Sequence, residues 1–298
     1  MYSELPNLII AGAPKAGTSS VHNWIADHPQ AHGSTEKETY YFVDQGTHMF
    51  RENANIKHGL ERYKQYFKIS KLEKPTIILE STPSYMYNQA ALKYIPDLPT
   101  EPKCLFILRE PSEQIYSLYQ YFKNNWNWIP HNITFVEYLN SVRNKTASYR
   151  GNELADNAIS YAKYIDYLLL WREKLDEERM MVLTFDELKR DEKEFTKKVA
   201  SWLSLDPSFY DTYGFPRDNE TYAAKSTNLQ KLNIALRSRL PKGRMYNWLK
   251  SIYRQVNTSK SKGPSGEEKN SMEELKNEFV EANQRLADTF DLDLRGWS

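Results

Sequence analysis

The segment from residue 7 to residue 26 constrains the fold more than any other part of the chain. Residues 7–11 read Asn-Leu-Ile-Ile-Ala, a short apolar run that predicts a buried strand. A loop between Gly12 and Gly17 follows, and residues 18–26 begin with hydroxyl side chains and continue with helical spacing of apolar ones. Strand, glycine loop and helix N-terminus direct backbone N–H groups and a helix dipole at one point. This predicts an α/β protein with an anion site after its first strand.

Three further apolar runs predict strands at residues 76–80, 103–109 and 179–184. Helical spacing follows Pro111, where Ile115, Leu118, Tyr119 and Phe122 share a face, and it recurs at residues 156–174 and 192–203. The strands are continuously apolar, which is typical of a parallel sheet covered by helices on both faces. We therefore expect a P-loop-type central parallel sheet flanked by helices, in one α/β domain over residues 1–298.

The C-terminal third has a different pattern. Residues 228–255 predict amphipathic helices interrupted by Pro241 and Gly243, and residues 257–270 predict a mobile loop. A final helix is expected at residues 271–289. We treat residues 228–270 as a helical insertion and loop within the domain, where residues 229–255 could form a lid or a homodimer contact.

Composition excludes several classes of protein. The 298 residues carry 40 Lys and Arg against 39 Asp and Glu, a net charge of +1, which argues against a dedicated nucleic-acid binder. The one cysteine, Cys104, can form neither an internal disulfide nor a CxxC site, so a reducing compartment is expected. No apolar run approaches the roughly 18 residues of a membrane span, and residues 1–10 lack the pattern of a secretory signal. We expect a cytoplasmic protein.

The glycine loop differs from a nucleoside-triphosphate loop. Gly12 and Gly17 have the spacing of the GxxxxGKS/T motif, but Thr18 stands where that motif requires lysine, and the lysine of this loop is Lys15. The second strand ends in Glu80 and Ser81 with no evident Mg²⁺ ligand. We therefore expect an anion held without a metal, with an Mg²⁺–ATP-binding kinase or NTPase as an alternative.

Two motifs carry a resemblance to a known family. Residues 14–20, Pro-Lys-Ala-Gly-Thr-Ser-Ser, resemble the 5′-phosphosulfate loop of sulfotransferases that use 3′-phosphoadenosine-5′-phosphosulfate (PAPS). Residues 108–117 resemble the 3′-phosphate motif of that family, with Arg109 at a strand end and Ser117 eight residues later. The similarity continues through residues 36–42, 80–85 and 295–297, and is weak only at 205–270. It is greatest to the heparan-sulfate-type and bacterial branch, which would include cyanobacterial enzymes that tailor secondary metabolites.

The resemblance implies sulfuryl transfer from PAPS, without a metal, and assigns roles to several residues. Lys15 and Ser117 are implied to be catalytic, with Lys15 at the bridging oxygen that becomes negative. Arg109 and Ser117 are implied to bind the 3′-phosphate. Nucleotide contacts are implied for the loop residues Lys15, Ala16, Gly17, Thr18 and Ser19. A late-chain loop closes over the nucleotide in the family, and Lys225 is preferred to residues 242–244 for that contact.

A hydroxyl acceptor also requires a base. Glu38 aligns with the catalytic glutamate of the family, and its aromatic surroundings predict a raised pKa suited to proton removal. His32, His48 and His58 are the alternatives.

The acceptor is implied to differ from heparan sulfate. Ser81 replaces a lysine and Tyr40 replaces a histidine of the heparan-type enzymes, and a single cysteine cannot form their late disulfide. The acceptor-contacting side chains are predicted to be Glu36, Tyr40, Tyr85, Trp126 and Trp128. An aromatic and acidic pocket suits a planar or cationic small molecule such as a guanidinium alkaloid, so we expect a secondary metabolite. A glycan acceptor and a non-catalytic PAPS-binding protein are the alternatives.

Overall fold

The structure is a computed structural model that describes residues 4–69, 74–216 and 263–297, together with the backbone of residues 222–224 and 258–260. Lys225, residues 242–244 and the amphipathic segment 228–255 lie outside the described residues, so the predictions for a nucleotide-closing loop, a lid and a dimer contact there stay predictions.

A five-stranded sheet forms the centre of the protein, and each pair of neighbouring strands is parallel. Its strands are β1 (Leu8–Gly12), β2 (Ala31–Gly33), β3 (Ile77–Ser81), β4 (Lys103–Leu108) and β5 (Met180–Thr184). Their order across the sheet is β2–β3–β1–β4–β5. The predicted parallel α/β architecture is confirmed. Strand β2 was not predicted, because its three residues, Ala-His-Gly, carry no apolar run. A separate antiparallel pair joins β6 (Tyr222–Ala224) to β7 (Thr258–Lys260).

Helices surround this sheet. In chain order they are α1 (Thr18–Ala26), α2 (Leu60–Lys64), α3 (Gln89–Tyr94), α4 (Pro111–Asn124), α5 (Phe135–Asn144), α6 (Glu153–Asp156), α7 (Ala158–Tyr161), α8 (Tyr164–Arg172), α9 (Phe185–Arg190), α10 (Glu192–Trp202), α11 (Gly266–Asn277) and α12 (Val280–Phe290). The predicted helices after the glycine loop, after Pro111 and after residue 191 are confirmed.

Two helical predictions were wrong in extent. Residues 156–174 form no continuous helix, because Asn157 and Lys163 leave helical geometry, with Lys163 at ψ 68°. The final helix is divided into α11 and α12 and begins before residue 271. Ser265 starts α11 through a capping box with Glu268, so residues 266–270 are helical and not part of a loop.

The core lies on both faces of the sheet. Every residue of β1 and β3 is buried, and so is Cys104 in β4, where burial raises the pKa of the free thiol to about 12. A second apolar cluster joins α4, α5 and α11. Among the described residues, no helix has the length and apolarity needed to cross a membrane.

Candidate active site

A cavity of about 1290 Å³ opens beside the loops that follow β1 and β4, between the first turn of α1 and the second half of α4. Ligands of open parallel sheets bind at the carboxyl ends of the strands. The walls come from the glycine loop, the segment 35–40, residues 48–51, helix α4, the turn 126–128 and the segment 150–154. No group of three His, Cys, Asp or Glu side chains within the described residues could hold a metal ion.

The glycine loop presents backbone N–H groups that no described residue accepts from. Lys15 and Gly17 both have positive φ, 66° and 81°. The carbonyl of Pro14 accepts a bond from Gln114 Nε2 at 3.1 Å, and the carbonyl of Lys15 accepts one from Arg109 at 3.3 Å. No described residue accepts a hydrogen bond from the N–H groups of residues 15–17. Since buried backbone donors are almost always satisfied, this loop is built to meet an acceptor such as a phosphate oxygen.

Only glycine fits at position 17. Besides its positive φ, a Cβ there would lie 2.7 Å from Cδ2 of Leu188 and 2.9 Å from the ring of Phe185. The close approach of α9 to the loop therefore fixes where α1 begins.

Lys15 points its ammonium group into the cavity. Its Nζ lies 4.4 Å from the ring centroid of Tyr121, and it forms no ion pair with a described residue. Burial, followed by the charge of Arg109, lowers the pKa of Lys15 to about 8. A negatively charged ligand would favour the protonated form.

Arg109 and Ser117 line the same cavity. Arg109 follows β4 directly, and Ser117 lies two turns into α4. The guanidinium is held by Glu113, with Nε 3.1 Å from Oε2, and lies 5.0 Å from the ring centroid of Phe185. Arginine fixed in this way can present its remaining donors to a phosphate.

Glu38 is a paired carboxylate. Nζ of Lys37 lies 2.9 Å from its Oε1, and the hydroxyl of Tyr40 donates a hydrogen bond to its Oε2. Burial acts to raise the pKa of Glu38, but the charge of Lys37 and the two hydrogen bonds outweigh it, so the pKa lies below its usual value. The predicted raised pKa was therefore wrong: the aromatic neighbour supplies a donor as well as apolar surface.

A buried carboxylate anchors the segment that carries Glu38. Oε1 of Glu80 accepts bonds from the backbone N and Oγ1 of Thr39, at 3.3 and 3.1 Å, and Oε2 accepts one from Tyr63 at 3.0 Å. Burial raises the pKa of Glu80. Glu80 thus ties the Glu38 segment to the end of β3.

Most predicted acceptor-side residues line the cavity. Trp126 and Trp128 stack with ring centroids 5.2 Å apart, and Glu36 pairs with Arg51 at 3.3 Å. Tyr40 also lines the cavity, with a positive φ of 54°, and its ring centroid lies 5.8 Å from Cζ of Arg51.

Tyr85 does not line the cavity, so its predicted contact with the acceptor was wrong. The side chain is fully buried, and its hydroxyl accepts hydrogen bonds from the backbone N–H groups of Tyr41 and Phe42 at 2.9 and 3.3 Å. These two bonds hold the backbone of Tyr41 and Phe42 in place. Ala16 is also fully buried and is not among the residues that line the cavity, so its predicted contact with the nucleotide stays a prediction.

Only one of the three histidines considered as alternative bases lines the cavity. Of the three histidines, His48 lines the cavity, with Nδ1 2.6 Å from Oε2 of Glu153. His32 lies in β2, and His58 contacts the carbonyl of Glu52. Neither lines the cavity.

Sequence reasoning did not single out several cavity residues, among them Lys37, Arg51, Tyr121, Arg150 and Phe185. Lys37 could have been proposed from the sequence, because it stands between Glu36 and Glu38. The others reach the cavity only through tertiary packing.

The sheet order and the glycine loop after β1 define an α/β protein of the P-loop type. The sequence profile of the sulfotransferase domain matches residues 5–291, and the chain belongs to the sulfotransferase family.

The curated relatives of this chain have low sequence identity to it. The bifunctional heparan sulfate N-deacetylase/N-sulfotransferase 1 of Caenorhabditis elegans is 25% identical over 214 residues, which cover 70% of this chain and 23% of the relative. Carbohydrate sulfotransferase 15 of Mus musculus is 24% identical over 248 residues, covering 68% of this chain and 44% of the relative. The chain thus spans about a quarter of the length of the bifunctional relatives it matches.

A solved structure shares the fold over nearly the whole chain. The sulfotransferase from Alicyclobacillus acidocaldarius superposes with a TM-score of 0.68 at 17% identity and covers 98% of both chains. This likeness concerns the fold.

Proposed function

We propose that this protein transfers the sulfuryl group of PAPS to a hydroxyl or amine of a small-molecule acceptor. The observation that carries the proposal is that Lys15, Glu38 and Arg109 line one cavity beside unused N–H groups of the glycine loop. Membership of the sulfotransferase family supports it.

The donor site has two anion-binding parts. The N–H groups of residues 15–17 and the hydroxyls of Thr18 and Ser19 would hold the 5′-phosphosulfate at the start of α1. Arg109 and Ser117 would hold the 3′-phosphate, which ATP lacks. Lys225 stays our sequence-based choice for a further nucleotide contact.

In the transfer step, Glu38 removes the proton of the acceptor as the acceptor oxygen or nitrogen bonds to sulfur. The bond from sulfur to the bridging phosphate oxygen breaks at the same time, and Lys15 neutralises the charge that this oxygen gains. Because its pKa is lowered, Glu38 is ionised at neutral pH and is ready to accept the proton. Positioning and electrostatics provide the catalysis, as in phosphoryl transfer.

The acceptor side favours a compound with a flat ring. Trp126 and Trp128 offer stacking surfaces, and Phe122 stacks on Trp128 at 5.4 Å. We propose a secondary metabolite as acceptor. A glycan is the second candidate, favoured by the names of the heparan sulfate and carbohydrate sulfotransferases among the relatives. We also propose that residues 1–298 form one domain working in a reducing compartment, since Cys104 is buried and free.

Thermal unfolding with three nucleotides tests the donor. The desulfated product PAP at about 100 times its dissociation constant should add roughly 2.7 kcal/mol of stability, which raises the unfolding midpoint by several degrees. AMP at the same concentration should give a smaller shift. A shift with ATP and Mg²⁺ but none with PAP would show that the proposed donor is wrong and favour a kinase.

A further inference from the structure

One wall of the cavity carries polar groups that the proposed transfer step does not use. We call Arg150 and Asn152 the distal wall, because a series of ring contacts leads from Lys15 to Glu153, the residue next to Asn152. Tyr121, which lies over Lys15, contacts Trp126, and Trp126 stacks on Trp128. Trp128 in turn meets the ring of His48 at 5.4 Å, and His48 contacts Glu153, the neighbour of Asn152.

Asn152 holds a buried donor that no described residue satisfies. The residue is 1% exposed and lines the cavity. Its Oδ1 accepts a hydrogen bond from the N–H of Ala155 at 3.0 Å, so the amide orientation is fixed and Nδ2 is the free end. Nδ2 has no hydrogen-bond partner among the described residues. Leaving a buried donor unsatisfied is unfavourable, and an oxygen atom of a ligand would satisfy it.

Arg150 contributes a positive charge to this wall. It is exposed at the cavity and forms no ion pair with a described residue, whereas Arg51 and Lys37 are paired with Glu36 and Glu38. Its φ of 60° and the 67° of Gly151 turn the chain sharply between the two residues of the distal wall.

The carboxylates nearest to this wall in the chain are already engaged. Oε2 of Glu153 accepts bonds from Nδ1 and the backbone N–H of His48, at 2.6 and 3.0 Å. Asp156 accepts bonds from the backbone N–H of Tyr149 and the hydroxyl of Ser148, both at 2.6 Å. Neither is available to Asn152 Nδ2 or paired with Arg150.

We propose that the distal wall is a subsite for an oxyanion of the acceptor, a carboxylate or a sulfate, at the end remote from the reacting hydroxyl. This inference rests on the proposed function and specifies its acceptor as a molecule with a stacking ring between a hydroxyl and an oxyanion. Arg150 supplies the charge, and Asn152 donates through Nδ2. A cationic end group would instead meet Arg150 and leave Nδ2 unsatisfied.

The experiment measures equilibrium binding to the PAP-saturated protein by calorimetry. The probes are 2-naphthol, 6-hydroxy-2-naphthoate and 6-hydroxynaphthalene-2-sulfonate, which share one ring system and differ in the end group. One charge-assisted contact should make the better anion bind about tenfold or more tightly than 2-naphthol. The preferred anion distinguishes a carboxylate from a sulfate.

Two variants test which side chains cause the preference for an anionic probe over 2-naphthol. Arg150→Met removes the charge from an exposed side chain, and Asn152→Ser removes the donor while keeping an uncharged side-chain oxygen to accept from the N–H of Ala155 at the start of α6. Each should abolish the preference, and the control Arg143→Met, which breaks the peripheral pair with Glu278, should retain it. Absence of any anion preference in the unmodified protein, or its survival in Arg150→Met, overturns the subsite. Failure of PAP to bind would instead refute the proposed donor.

Discussion

Nζ of Lys37 lies 2.9 Å from Oε1 of Glu38, so the carboxylate that we propose as the base is paired with a cation inside the cavity. The hydroxyl of Tyr40 donates to its other oxygen. The two partners overcome the effect of burial and lower the pKa of Glu38. The base is therefore ionised well below neutral pH, and its carboxylate is a weaker proton acceptor than an unpaired one.

Replacing Lys37 should move the acidic limb of the pH profile. A carboxylate base loses activity as pH falls through its pKa, and Lys37→Met removes the main influence that lowers the pKa of Glu38. The limb of kcat/KM should move to higher pH. Lys57→Met is the control, since Lys57 contacts Gln45 outside the cavity. An unmoved limb in Lys37→Met would show that Glu38 is not the titrating base.

Glu38→Gln should separate chemistry from nucleotide binding. The amide cannot take the proton of the acceptor, so release of PAP from PAPS in the presence of an acceptor should fall by about 10²–10⁴-fold. The dissociation constant of PAP should stay nearly unchanged. Glu61→Gln is the matched control, because Glu61 pairs with Lys64 at the surface and does not line the cavity. Near-normal turnover in Glu38→Gln would refute the assignment and favour His48.

The donor affinity should depend on the titration of Lys15. With a pKa of about 8, its ammonium form predominates below that pH and is lost as pH rises through it. PAP should therefore bind about tenfold more weakly at pH 9 than at pH 7, because the cation must be restored in the complex. Lys15→Met should bind PAP weakly and equally at both pH values. A dissociation constant for the unmodified protein that is the same at pH 7 and 9 would contradict a contact between Lys15 and the donor.

Tyr85→Phe should affect stability more than ligand binding. The substitution leaves the buried N–H of Phe42 without its acceptor and reduces that of Tyr41 to its 3.3 Å bond with Oγ1 of Thr39, at a cost of about 1–3 kcal/mol. The unfolding midpoint should fall by several degrees, while Tyr94→Phe at the surface should leave it unchanged. A loss of acceptor binding without loss of stability would restore the sequence-based role of Tyr85.

The sequence was informative where function depends on local order. Lys15 and Arg109 follow the ends of β1 and β4, and Ser117 lies in the helix that begins at Pro111. Their elements could therefore be placed from apolar runs, the loop glycines and a proline. Such elements need no knowledge of distant contacts.

The remaining features depend on contacts between distant segments. Strand β2 is defined by pairing with β3, not by its own three residues. The aromatic pattern could not show that Tyr85 points into the core, nor that Tyr40 turns its hydroxyl onto Glu38. The partnerless Nδ2 of Asn152 is visible only once its neighbours are placed.

The central claim is that Arg109 recognises the phosphate that distinguishes PAPS from other adenine nucleotides. Its most direct test is the ratio of the AMP and PAP dissociation constants, measured by calorimetry on the unmodified protein and on Arg109→Ala. A charge-assisted phosphate contact should make PAP bind about 10- to 100-fold more tightly than AMP, and the variant should lose most of that ratio. An equal affinity for PAP and AMP in the unmodified protein, or a ratio unchanged in Arg109→Ala, would contradict the account.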